Sequence, residues 1–98
     1  MSDQPSAEEP RQQAQIRVVV DDERKHGEYA NFLVVTHGPH EFTLDFCQLL
    51  PSQEPGRVNA DVVSRVRIAP TMVGQVLRAL NANLSNYEDK FGDVKAIS

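Results

Sequence analysis

The feature that most constrains this chain lies near its C-terminus. Val73, Val76, Leu77, Leu80, Leu84, Tyr87 and Phe91 recur at gaps of 3, 1, 3, 4, 3 and 4. At about 100° per residue all seven fall within one sector roughly 100° wide, the pattern of an amphipathic helix. Pro70 stands where a helix's first residue belongs, because its missing N–H would be unpaired there in any case. Gly92 occupies the place of a C-terminal αL cap, with Lys90 in the last turn. The spacing therefore predicts a helix over about 70–91. Burying seven such side chains contributes on the order of 10–20 kcal/mol gross, before entropy is subtracted. The stripe is expected to be core, packed on whatever else the chain forms.

The remainder reads as strands. Ile16, Val18, Val19 and Val20 with Arg17 form a β-branched, roughly alternating run, expected to be the first strand. Residues 21–27 are a polar turn of mixed charge. Residues 29–37, centred on Phe32, Leu33, Val34 and Val35, give the strongest strand signal. After residues 37–40, Phe42, Leu44 and Phe46 alternate onto one face. The two runs predict a hairpin over about 29–49. Pro39 suits the first central position of a type I or II turn and not the second, which disfavours a Gly38-Pro39 two-residue turn. A four-residue loop pairs Leu33 with Leu44, whereas a five-residue loop sets Phe32 opposite Phe46. Residues 51–61 are expected to be a mobile loop, and residues 62–69 a fourth strand, with Arg65 and Arg67 on one face. The fold class is thus α+β, a four-stranded antiparallel sheet followed by one long helix.

Residues 1–15 hold only Met1, Ala7 and Ala14 as apolar side chains and read as a disordered tail. They lack the basic start and apolar run of a signal peptide. Residues 16–98 form a single domain near the size where one core is marginal, for which oligomerisation is a common remedy. No window is long and apolar enough to span a bilayer. Ten Lys and Arg stand against fourteen Asp and Glu, a formal charge of −4. Without the tail the balance is nine against eleven, which argues against a general nucleic-acid binder. The single Cys47 excludes an intrachain disulfide and fits a reducing, cytoplasmic compartment.

Few residues suggest chemistry. His37, His40 and Glu41 flank a turn, but Asp45 and Cys47 lie about 14 and 20 Å along a strand from Glu41, too far to share one ion with it. Solvated turn histidines are the plainer reading, and neither a metal nor another cofactor is expected. Cys47 has no evident base and reads as a small core or edge residue. No glycine-rich phosphate loop appears. Arg65 and Arg67, joined by Arg17, would make a short basic ladder, for which cross-strand pairing with Glu41, Asp45 or Asp21 is the simpler account.

Several pieces together resemble a known family. Gly27-Glu28-Tyr29-Ala30-Asn31-Phe32, Thr36-His37-Gly38-Pro39-His40-Glu41-Phe42, Leu44-Asp45-Phe46, Ser64-Arg65-Val66, Ala69-Pro70 and Asn86-Tyr87-Glu88-Asp89-Lys90-Phe91-Gly92 look like the small prokaryotic family catalogued as domain of unknown function 3467. The likeness covers roughly residues 16–92. Ala69 stands where members often carry Ser, and it forgoes an N-cap hydroxyl. The family name implies no function. In architecture alone, four strands and a long helix are similar to SecB-like export chaperones, although this chain is shorter and lacks a second helix.

The function expected from these residues is non-enzymatic. The chain reads as a self-associating protein-interaction module, chaperone- or adaptor-like, forming a homodimer or larger homo-oligomer with a further protein partner. Phe32 and Val34 lie on a sheet face that one helix cannot cover. Ala79, Asn83 and Asn86, with Met72, form a strip of mostly small side chains beside the main stripe. These five residues, Phe32, Val34, Ala79, Asn83 and Asn86, are the expected interface. The alternative is a nucleic-acid-binding regulator using Arg17, Arg65 and Arg67.

Overall fold

A computed structural model describes residues 14–52 and 54–95. Three strands, β1 (Phe32–His37), β2 (Phe42–Pro51) and β3 (Val58–Ile68), form one antiparallel sheet in the order β1-β2-β3. A 3-10 turn, Pro70–Met72, leads into α1 (Val73–Phe91). The α+β class is as expected, but the sheet has three strands and not four. Residues 16–20 carry no strand pairing and are exposed. Alternating β-branched residues make a strand only where an edge is taken up, and this segment takes up neither β1 nor β3.

The hairpin adopts neither of the two anticipated registers. Leu33 pairs with Phe46, Val35 with Leu44 and His37 with Phe42. The connection is tighter than expected, because the Gly38 N–H donates to the Glu41 carbonyl at 3.0 Å. Pro39 and His40 are then the central pair, and Pro39 holds the first central position that its fixed φ suits. The 51–61 loop is also shorter than expected, since Pro51 pairs with Val58 and Leu49 with Ala60. Only residues 52–57 connect the two strands. A bulge interrupts β2–β3 between Phe46 and Cys47, where Ser64 and Val62 are the partners and Val63 is extra.

Alternation from this register sorts the sheet into two faces. One carries Leu33, Val35, Phe42, Leu44, Phe46 and Val66, and is apolar throughout its centre. The other carries Phe32, Val34, Thr43, Asp45, Cys47 and Arg65. Thr43, Asp45 and Cys47, on the central strand, are buried.

The helix departs most from expectation. It forms as the spacing predicts, with Ala69 extended before Pro70 and no side chain capping its first turn. Its stripe, however, is not core. α1 makes at most marginal contact with the sheet. Val73 and Val76 are half-buried, but Leu77, Leu80, Leu84, Tyr87 and Phe91 remain 44–67% exposed. Among the described residues, Cys47 and Ile68 are the only apolar side chains that are buried. The anticipated disordered tail lies outside the described residues, except for residues 14 and 15.

Candidate interaction surfaces

Three surfaces compete for attention, and each is built by a different element. The first is the apolar sheet face. Its centre comes from β2, where Phe42, Leu44 and Phe46 are half-buried between Leu33 and Val35 of β1 and Val66 of β3. Leu33, Val35 and Val66 are exposed. At one end the polar turn 21–27 leans over the face, so that Glu23, Arg24 and Glu28 rim a groove floored by Phe46 and Val66.

The second is the opposite face, which holds the expected Phe32 and Val34. There the structure places a bidentate ion pair. Arg65 Nε donates to Asp45 Oδ1 at 2.6 Å and Arg65 Nη2 donates to Oδ2 at 2.9 Å. The Arg65 hydrogen bonds hold the Asp45 carboxyl below its ordinary value against the opposing pull of desolvation, with smaller help from the charges of Arg65 and Arg67. The pair reciprocally raises Arg65. Cross-strand pairing thus occupies Arg65, while Arg67 stands opposite Thr43. Arg17 lies in the unpaired segment before β1, so the three arginines do not form a ladder across adjacent strands.

The third is α1 itself. Its stripe is open, and Ala79, Asn83 and Asn86 lie exposed beside it. Asn83 Nδ2 donates to the Ala79 carbonyl at 3.0 Å, so half of that amide is satisfied within its own helix. The Tyr87 and Phe91 rings lie 4.9 Å apart between centroids with their planes tilted by 44°, and the Lys90 ammonium lies 5.9 Å from the Phe91 centroid. Sequence reasoning missed the openness of this stripe, since an exposed seam and a core face share the same spacing.

The amount of open surface can be weighed. The accessible surface is 8930 Å². A compact protein of the 81 described residues exposes about 4900 Å², and the other seventeen, even counted as fully solvated, add at most about 2700 Å². Roughly 1300 Å² remains in excess, more than the ~800 Å² per partner of a standard interface.

Among the described residues, no three His, Cys, Asp or Glu side chains come together to hold a metal ion. His37 instead lies against Phe42, with ring centroids 5.4 Å apart. No helix among them is long and apolar enough to cross a membrane.

A family model described as a protein of unknown function, DUF3467, matches residues 1–96. The chain belongs to this family. No curated protein and no solved structure matches it. The pieces that carry the DUF3467 likeness have structural roles here. Asn31 Oδ1 accepts the Leu49 N–H at 2.9 Å, and the Asn31 N–H donates to the Cys47 carbonyl at 2.9 Å, so pairing continues past the start of β1. Asp45 of the β2 piece holds Arg65. In the last piece, Glu88 Oε2 accepts the Val94 N–H at 3.0 Å and its carbonyl accepts the Gly92 N–H at 2.9 Å, which closes the helix.

Proposed function

We propose that this DUF3467 chain is a non-enzymatic, self-associating protein-interaction module that acts in the cytoplasm. One observation carries the reading: among the described residues a single copy fully buries only Cys47 and Ile68 as apolar side chains, yet it presents an apolar sheet face and an apolar helix stripe. A chain of this size that leaves both open gains little from hydrophobic burial alone, and association is the physical remedy. The two surfaces divide the work. The open helix stripe favours self-association, and the apolar face of Leu33, Val35, Leu44 and Phe46 suits an apolar segment of another protein, in an adaptor- or chaperone-like role. Phe32 and Val34 lie on the opposite sheet face and would serve a separate contact there.

Light scattering coupled to size exclusion tests the association. The expected mass is a multiple of the 10.9 kDa chain at micromolar concentration. A monomer at every concentration up to 100 µM would sink the reading. The nucleic-acid alternative draws no support from the geometry, because Arg65 is already paired with Asp45 and Arg17 stands apart from the sheet. Salt-sensitive retention on immobilised nucleic acid would reopen it.

A further inference from the structure

The exposed stripe of α1 has a finer structure than one apolar sector. Val73, Leu77, Leu80, Leu84, Tyr87 and Phe91 are spaced 4, 3, 4, 3 and 4 apart. That is an unbroken a/d heptad pattern over the whole helix, the narrow seam by which one helix packs on another. A helix covering a sheet has no need of so strict a seam, and here the seam does not cover the sheet.

Resting on the self-association just described, we propose that α1 pairs with α1 of a second copy, antiparallel and centred on Ala82. In that register Leu80 of each copy meets Leu84 of the other, Leu77 meets Tyr87, and Val73 meets Phe91. Every seam position is used. The smallest seam residue, Val73, faces the Phe91 ring, so a small side chain meets a large one at each end and the pair keeps an even width. A parallel pair would instead stack Phe91 on Phe91 and Val73 on Val73, wide at one end and narrow at the other. It would also bring two sheets to the same end of the pair, whereas the antiparallel pair sends them to opposite ends.

The flanks agree. Near the two-fold, Asn81 faces Asn81 and Asn83 faces Asn83 across the seam. Asn83 Nδ2 is engaged with the Ala79 carbonyl, which leaves its Oδ1 to accept a hydrogen bond from the other copy. Glu88 falls beside Gly74 and Lys90 beside Val76, so no like charges oppose one another. Six seam side chains from each copy supply on the order of 1200 Å² in total, the lower limit for a stable interface. The apolar sheet faces stay free for a different partner.

The test uses the full-length chain with Cys47→Ser, a substitution that keeps size at a buried position. Spin labels are placed singly at Gln75, Ala82 and Asp89, which all lie on the side of α1 away from the seam, and distances between copies are read by double electron–electron resonance. Antiparallel pairing gives the shortest distance at position 82. Positions 75 and 89 then give longer and matching distances, from an added axial offset of about 21 Å. Equal distances at all three sites mean a parallel pair and overturn the proposal. Native mass supplies the second arm: Leu80→Asp with Leu84→Asp should weaken association on the order of 100-fold or more. If the parent chain associates but this variant associates equally well, the helix seam is wrong while self-association stands. If the parent chain is monomeric, both readings fall together.

Discussion

Asp45 and Arg65 face each other across β2 and β3, and their contact sets how the sheet responds to acid. The carboxyl is depressed chiefly by the two Arg65 hydrogen bonds. A group whose folded pKa is lowered stabilises the fold above its unfolded value, about 3.9, and loses that contribution as pH falls through the folded value. Arg65→Gln should therefore raise the pH midpoint of acid unfolding, followed by circular dichroism. Arg67→Gln should move it less, because Arg67 acts on Asp45 only through its charge. An unmoved acid limb in Arg65→Gln would show that the pair does not couple to folding. Asn31 offers a second residue-scale test. Its side-chain carbonyl accepts the Leu49 N–H, so Asn31→Ala should cost roughly 1 kcal/mol and speed hydrogen exchange at Leu49. Asn31→Asp retains the acceptor and should protect that amide better than Ala does.

At the scale of elements, α1 depends on its ending. Gly92 has φ +96° and ψ 169°, a region essentially confined to glycine. Gly92→Ala should cost on the order of 1–3 kcal/mol, visible as lost signal at 222 nm and a lower Tm. An unchanged melting curve would mean that the last turn contributes nothing to the fold. The position of this ending was legible in the sequence, and so were the bounds of the helix, because Pro70, Gly92 and the stripe are local signals. The αL conformation expected at Gly92 was not found, since its ψ of 169° is extended. The role of the stripe was not. A 3.5-residue seam drifts only about 20° per heptad from a straight helix, so over 19 residues a seam and a core face look alike. Strand content failed for a related reason. Residues 16–20 have the side chains of a strand but join neither edge of the sheet, whereas Asn59, Ala60 and Asp61 look like loop and are paired because β2 continues opposite them. Pairing is a property of two segments, and one segment's composition does not report it. Of the expected interface, Phe32 and Val34 lie on one sheet face while Ala79, Asn83 and Asn86 lie on a helix that stands off the sheet. Sequence placed each group on its element but not the elements against each other.

At the scale of the whole molecule, the open stripe makes a statement about stability. A 19-residue helix that packs on nothing is marginal in water, since most helical stability in proteins comes from tertiary packing. Gly74, Asn81 and Asn83 weaken it further through their low propensity. If a second copy supplies the packing, folding and association are linked by mass action, and the melting temperature must depend on protein concentration. Diluting the chain 100-fold should lower Tm by on the order of 5–10 °C for a domain of this size. The 222 nm signal should weaken at the dilute end even before heating, because α1 frays once its partner leaves. Leu80→Asp with Leu84→Asp should melt at the same temperature at every concentration, with a smaller helical signal throughout. Leu33→Asp separates the two surfaces. It disrupts the apolar sheet face but not the seam, so its Tm should fall while the slope against concentration persists. A parent chain whose Tm ignores concentration would show that the helix is stable uncovered, and the argument from exposed surface to assembly would fail at its first step.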